Sequence, residues 1–107
     1  MSSPSKRKGN TFEREVVRQA QDLGLEAIRA YASNGMSIGE AEDVDVRIEK
    51  FKGQCKRRKR IAKWIKPPDS CDIALVREDR GETYVIIEYG DFLALATKLK
   101  GICIEKE

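Results

Sequence analysis

The chain contains no histidine. Without an imidazole, Ser-His-Asp and Cys-His nucleophilic catalysis, histidine metal ligation and histidine proton shuttling near neutral pH are all closed to it. Any enzymatic chemistry has to run on carboxylates, amides, lysines, hydroxyls or a metal ion. Cysteine is scarce as well. Cys55, Cys71 and Cys103 are odd in number, widely spaced and form no CxxC pair, so neither a disulfide framework nor a zinc knuckle is expected. No run of about 18 apolar residues occurs, and the opening MSSPSKRKGN is basic and polar, without an apolar stretch. The expectation is a cytoplasmic protein in a reducing compartment, with no membrane segment.

What is present is charge. Charged residues make up 36% of the 107-residue chain against 40% hydrophobic, enough apolar material for one modest core. This length predicts a single domain over 1–107, with 1–10 as a basic flexible arm. The formal net charge of +3 conceals an uneven distribution. From Lys50 to Lys66 there are nine bases (Lys50, Lys52, Lys56, Arg57, Arg58, Lys59, Arg60, Lys63 and Lys66) and no acid. Setting these aside together with Lys6, Arg7 and Lys8 leaves 9 bases facing all 18 acids. A focused basic patch on an otherwise acidic protein is the pattern of a polyanion-binding surface, although a solvated helix face also produces charge runs.

Hydrophobic periodicity orders the rest. Phe12, Val16, Val17, Ala20 and Leu23 predict a helix over 11–23, capped by Asn10 or Thr11 and ended by Gly24. LEAIRAY reads as a strand, and SNGMSIGEAE as a flexible loop. In DVDVRIEKFKGQCKRR, Val44, Val46 and Ile48 alternate with Asp43, Asp45 and Arg47 before a turn and a second strand, which predicts a hairpin. Gln54 and Lys56 then share one face of that second strand and Cys55 takes the other, as a small core residue. A basic helix is expected over 57–66, burying Ile61, Trp64 and Ile65 and stopped by Pro67-Pro68, with base stacking the other reading of Trp64. Strands at CDIALVRE and TYVIIEY, a helix at DFLALATKL and a final strand or tail at GICIEKE complete an α/β layer sandwich.

The hairpin aligns three chemical features: Glu13 on the first helix, Asp45 on one strand and Gln54-x-Lys56 on its neighbour. At these positions the sequence resembles the PD-(D/E)xK nuclease superfamily, and more closely the Holliday junction resolvases of archaea and of some phages. KRKGNTFEREVVRQAQDLGLEAIRAYASNG resembles that family's basic-glycine start, Glu-bearing helix, arginine strand and serine loop. VDV matches its metal-aspartate strand and QCKRR its ExK, close to an ECKRR form of phage members. The resemblance implies a restriction-endonuclease-like core with a mixed central sheet flanked by helices. It implies a metal-dependent endonuclease that resolves four-way DNA junctions by paired symmetric nicks.

Phosphodiester cleavage needs a water held in line and charge neutralisation on the scissile phosphate, and hard oxygen ligands select Mg²⁺ or Mn²⁺ for that work. Asp45 is the primary expected ligand, with Asp43 competing for the role from the same strand face. The resemblance implies that Glu13 closes the site, that Gln54 and the backbone carbonyl of Cys55 complete the ligand set, and that Lys56 positions or deprotonates the water. Gln54 departs from the family pattern, which has a carboxylate there; an amide supplies an oxygen without a charge and should weaken metal binding or favour Mn²⁺. Ser33 occupies the position of the family's catalytic-loop serine, and also reads as an ordinary turn residue. Arg29 is expected to bind phosphate, and Lys6, Arg7, Lys8, Arg57, Arg58, Lys59, Arg60 and Lys63 to contact the DNA backbone.

Two symmetric nicks call for two sites, so a homodimer is expected, with Phe92, Leu93, Leu95 and Leu99 either forming its interface or completing the monomer core. The competing readings are a superfamily nuclease acting on other DNA, such as a nickase or restriction-like enzyme, and a non-catalytic DNA-binding protein on the same scaffold.

Overall fold

The apolar stripe in the first third of the chain forms α1 (Pro4–Asp22), whose Val16, Val17 and Ala20 are buried. The computed structural model describes residues 4–30 and 35–101, with only the backbone of 4–9; Ser33 and most of GICIEKE lie outside the described residues. The helix begins seven residues earlier than the expected start at 11. Proline is well suited to a helix's first turn because its missing N–H has no intrahelical partner there, and Lys and Arg are good helix formers. Residues 4–10, expected as a flexible arm, therefore continue the helix, and Asn10 and Thr11 lie inside it. Its end is as expected: Gly24 takes a left-handed φ of 85° and donates its N–H to the Gln21 carbonyl at 2.9 Å.

Three short strands follow as an antiparallel sheet in the order β1 (Ala27–Arg29), β2 (Val46–Ile48), β3 (Phe51–Gly53). The predicted hairpin is β2–β3, pairing Ile48 with Phe51 and Val46 with Gly53. Its turn places Glu49 at φ 54°, an uncommon conformation for a side chain with a Cβ. The surroundings hold it there. The Glu49 carboxylate accepts the Glu26 N–H at 2.6 Å and pairs with Lys100 at 2.6 Å, while the Glu49 N–H donates to the Glu26 carbonyl at 2.7 Å.

A second antiparallel pair, β4 (Ile73–Arg77) and β5 (Thr83–Ile87), precedes α2 (Tyr89–Lys100). Glu88 caps α2 by accepting the Asp91 N–H at 3.2 Å, and Gly101 ends it at φ 85°. The expected α/β class holds, with its strands divided between two antiparallel sheets. One core joins α1, Leu25, β2 and α2 through Val16, Val17, Ala20, Leu25, Val46, Ile48, Leu93 and Ala96. Tyr89 fixes α2 against α1 by donating its hydroxyl to the Val16 carbonyl at 2.6 Å.

The expected basic helix over 57–66 does not form: residues 54–72 are irregular, with a turn at 63–65. In a helix Lys56 and Arg60, and Lys59 and Lys63, would be like-charged neighbours one turn apart, with no acid to offset them. Trp64 and Ile61, expected in the core, are 70% and 50% exposed, and Ile65 is half-buried. The C-terminal helix divides its apolar residues between two roles. Leu93 is buried and Phe92 packs edge-on against Phe51 with ring centroids 5.1 Å apart, whereas Leu95 and Leu99 are exposed. On the hairpin before it, Ile73, Leu75 and Val85 are exposed as well.

Candidate active site

Asp45 precedes β2 at a position where the backbone is tied on both sides. Its carbonyl accepts the Ala30 N–H at 2.8 Å and its N–H donates to the Gly53 carbonyl at 2.9 Å, so the residue sits between the ends of β1 and β3. Its carboxylate Oδ2 accepts the Cys55 N–H at 2.7 Å. The acid thereby bridges the mouth of the hairpin and is only 8% exposed. Asp43, in contrast, is exposed and lies outside the strand. The structure thus separates two acids that alternation in the sequence placed on one face.

Glu13 reaches the same region from α1 and is 3% exposed. Its Oε1 accepts from Arg29 Nη1 at 3.2 Å, joining the helix to the end of β1. The convergence of the two acids is felt by Cys55. Burial pushes its thiol up to about 11, and the nearby Glu13 and Asp45 carboxylates act in the same direction by repelling a thiolate. Cys55 is half-buried and packs on the core, as the alternation implied. At neutral pH it is a protonated core side chain and unsuited to nucleophilic attack.

Gln54 and Lys56 flank Cys55 and are both exposed, again as alternation requires. With Cys55, Val16, Tyr89 and Phe92 they line a largely apolar cleft of about 780 Å³. Lys56 and Phe12 also line a second cleft, of about 670 Å³, together with Arg57, Arg58, Lys59, Arg60, Lys63 and Lys66. Neither acid lines these two clefts. The arrangement is two buried acids, Glu13 and Asp45, beside the segment that follows β3, whose exposed Lys56 lines a cation-rich groove. The side chains of Lys6, Arg7 and Lys8 lie outside the described residues, though their backbone forms the first turns of α1.

Among the described residues, no three His, Cys, Asp or Glu side chains are grouped to hold a metal ion. The donor chemistry nevertheless suits a hard cation. Two buried carboxylates supply oxygen and negative charge, and the Gln54 amide oxygen and the Cys55 carbonyl are neutral oxygen donors on the segment that follows β3.

One contribution was not anticipated from the sequence. The segment expected to be a flexible loop is stapled over its described part. Arg47 Nη1 donates to Glu40 Oε2 at 3.1 Å and to the Ile38 carbonyl at 3.2 Å, and Lys52 pairs with Glu40 at 3.2 Å. These bonds hold the Glu40 carboxyl below its ordinary value, hydrogen bonding to Arg47 being the largest cause. Gly35 is buried so tightly that a Cβ there would lie 1.8 Å from the Ala41 carbonyl oxygen. The charges of Glu40, Arg47 and Lys52 were visible in the sequence, but their meeting depends on the chain reversing between Gly35 and Val44.

No helix among the described residues is long and apolar enough to cross a membrane. A family model described as archaeal Holliday junction resolvase matches residues 4–65, more than half of the chain. No curated protein and no solved structure matches it.

Proposed function

The chain belongs to the archaeal Holliday junction resolvase family, and from that premise we propose that it is a metal-dependent endonuclease that resolves four-way DNA junctions by paired symmetric nicks. The observation that carries this reading is the buried pair Glu13 and Asp45 set behind Lys56 at the cation-lined groove. A binding protein with no chemistry to perform would have little use for two acids buried beside a surface meant for a polyanion, since each costs desolvation energy.

In this reading the groove residues Arg57, Arg58, Lys59, Arg60 and Lys63 hold phosphates, which positions the duplex arms without reading sequence. Arg29 holds Glu13 in place and offers its guanidinium to the phosphate nearest the acids. A divalent ion, when bound by Glu13, Asp45, Gln54 and the Cys55 carbonyl, supplies charge neutralisation at the scissile phosphate. Lys56 orients the attacking water, and Ser33 contacts the phosphate. The Asp45–Cys55 bond fixes the aspartate's orientation before DNA arrives, so little reorganisation is needed on binding.

Two nicks require two sites, and a homodimer supplies them by symmetry. The exposed Leu95 and Leu99 of α2, with Ile73, Leu75 and Val85 of the second hairpin, support an interface in the C-terminal third.

The test incubates the protein with a synthetic four-way junction, a linear duplex and a single strand, with and without Mg²⁺ or Mn²⁺. Paired nicks confined to the junction and dependent on the ion are expected, lost in Asp45→Ala and Lys56→Ala and kept or raised in Gln54→Glu. Binding without nicking would mean a non-catalytic scaffold, nicking of all duplexes a general nuclease, and activity surviving Asp45→Ala would remove the metal site.

A further inference from the structure

The chain's single tryptophan, Trp64, is 70% exposed in the turn closed by the Ile65 N–H to the Ala62 carbonyl at 3.0 Å. It sits between Lys63 and Lys66, both of which line the cationic groove with Arg57, Arg58, Lys59 and Arg60. The other aromatic contacts among the described residues, Phe51 with Phe92 and Tyr89 with Phe92, lie in or against the core. Pro67 and Pro68 follow directly and restrict the backbone that carries the ring.

We propose that Trp64 is a base-stacking residue that caps an unstacked nucleobase at the branch point of the DNA held in the groove. The charge of the segment selects the occupant: an exposed ring flanked in sequence by cations, with no acid between Lys50 and Lys66, faces a polyanion sooner than a protein surface. An aromatic face stacks on any base, so the contact is indifferent to sequence. It is sensitive to DNA shape. In a linear duplex each base is already stacked on both sides, and an inserted ring must first separate a base step. At a four-way branch the base pairs that flank the crossing have a face to offer when the arms unstack. Trp64 thus adds affinity for the branch, while the neighbouring lysines and arginines bind any duplex. This inference deepens the junction-resolving function proposed above and rests on it.

The ring is the only tryptophan, so its own fluorescence reports the contact. Wild-type protein is titrated, without divalent ions, with a four-way junction and with a linear duplex of equal phosphate content; binding is followed by tryptophan emission and independently by anisotropy of labelled DNA. Emission should be quenched by the junction and little changed by the duplex. Trp64→Ala should weaken junction binding by roughly 5- to 150-fold, the range for loss of one aromatic–base stack. Duplex binding and the salt dependence of both complexes should stay as in wild type, and Trp64→Phe should recover part of the loss. Unquenched emission at saturating junction, or equal junction affinity in Trp64→Ala, would overturn the stacking role while leaving junction resolution standing. Quenching that grows with protein concentration in the absence of DNA would assign the ring to a second copy of the chain instead. A wild-type protein that does not prefer the junction to the duplex would remove the parent reading, and this inference with it.

Discussion

Arg29 and Glu13 make opposite demands on a metal site, and replacing the arginine should expose the competition. Glu13 is almost fully buried, and the guanidinium 3.2 Å away is a positive charge that the structure places beside it, with the Arg29 side chain 23% exposed. Two unit charges at that distance attract by about 5 kcal/mol at an effective dielectric constant of about 20. Desolvation of both groups and solvent screening of the partly exposed arginine reduce the net effect to about 1–3 kcal/mol. Arg29→Ala leaves the acid buried without that charge and should lower the melting temperature by roughly 5–15 °C for a domain of this size. A divalent ion can then take the place of the guanidinium. In wild type the ion has to compete with Arg29 for Glu13; in the variant it does not, so Mn²⁺ should raise the melting temperature of Arg29→Ala by more than that of wild type. The assay is a thermal melt with and without Mn²⁺ in the absence of DNA, with Glu13→Gln/Arg29→Ala as the control that removes the buried charge. Equal Mn²⁺ shifts in wild type and Arg29→Ala would refute the competition. A double variant no more stable than Arg29→Ala would refute the account of a buried acid that has lost a counter-charge.

Asp45→Asn keeps an oxygen to accept the Cys55 N–H and should fold normally while losing metal-dependent cleavage; Asp45→Ala leaves that N–H without its partner and should also cost about 1–3 kcal/mol in denaturant unfolding. Gly35→Ala drives a Cβ into the Ala41 carbonyl and should destabilise the fold by about 1–3 kcal/mol or more, because the obstacle is backbone; unchanged stability would mean the Gly35–Val44 reversal is looser than drawn. Glu40 is held below its ordinary 4.5 by Arg47 and Lys52, so its stabilisation is present above that value and is lost as pH falls through the depressed one. Melting curves of wild type and Glu40→Gln should accordingly differ at pH 7 and converge in acid. A gap independent of pH would dissociate the stabilisation from the carboxylate's charge.

How much of this was legible depends on the range of the interactions involved. The core face of α1, the β2–β3 hairpin, the inward turn of Cys55 and the closing Gly24 follow from side-chain period and local turn chemistry, and the sequence reading reached them. Alternation alone puts Asp43 and Asp45 on one face; what separates their surroundings is a bond from the backbone of Cys55 to Asp45 across the hairpin, which no local pattern contains. Apolar spacing predicts a basic helix over 57–66 with Trp64 in the core, but spacing carries no measure of the like-charge repulsion along that segment, and the chain there is irregular with Trp64 exposed. The tethering of the loop through Glu40 involves partners on β2 and β3 that no local pattern connects.

The irregular course of residues 54–72 gives the two halves of the site different freedom to change. Insertions in a segment without a ladder to preserve cost little, about 0.6 kcal/mol for a doubling of loop length. The cation-rich stretch can therefore vary in length and charge spacing at little cost to the fold. The acids have no such latitude: Asp45 is also a strut of the hairpin and Glu13 is a buried residue of the core helix, so a substitution there is felt by the fold before it is felt by the chemistry.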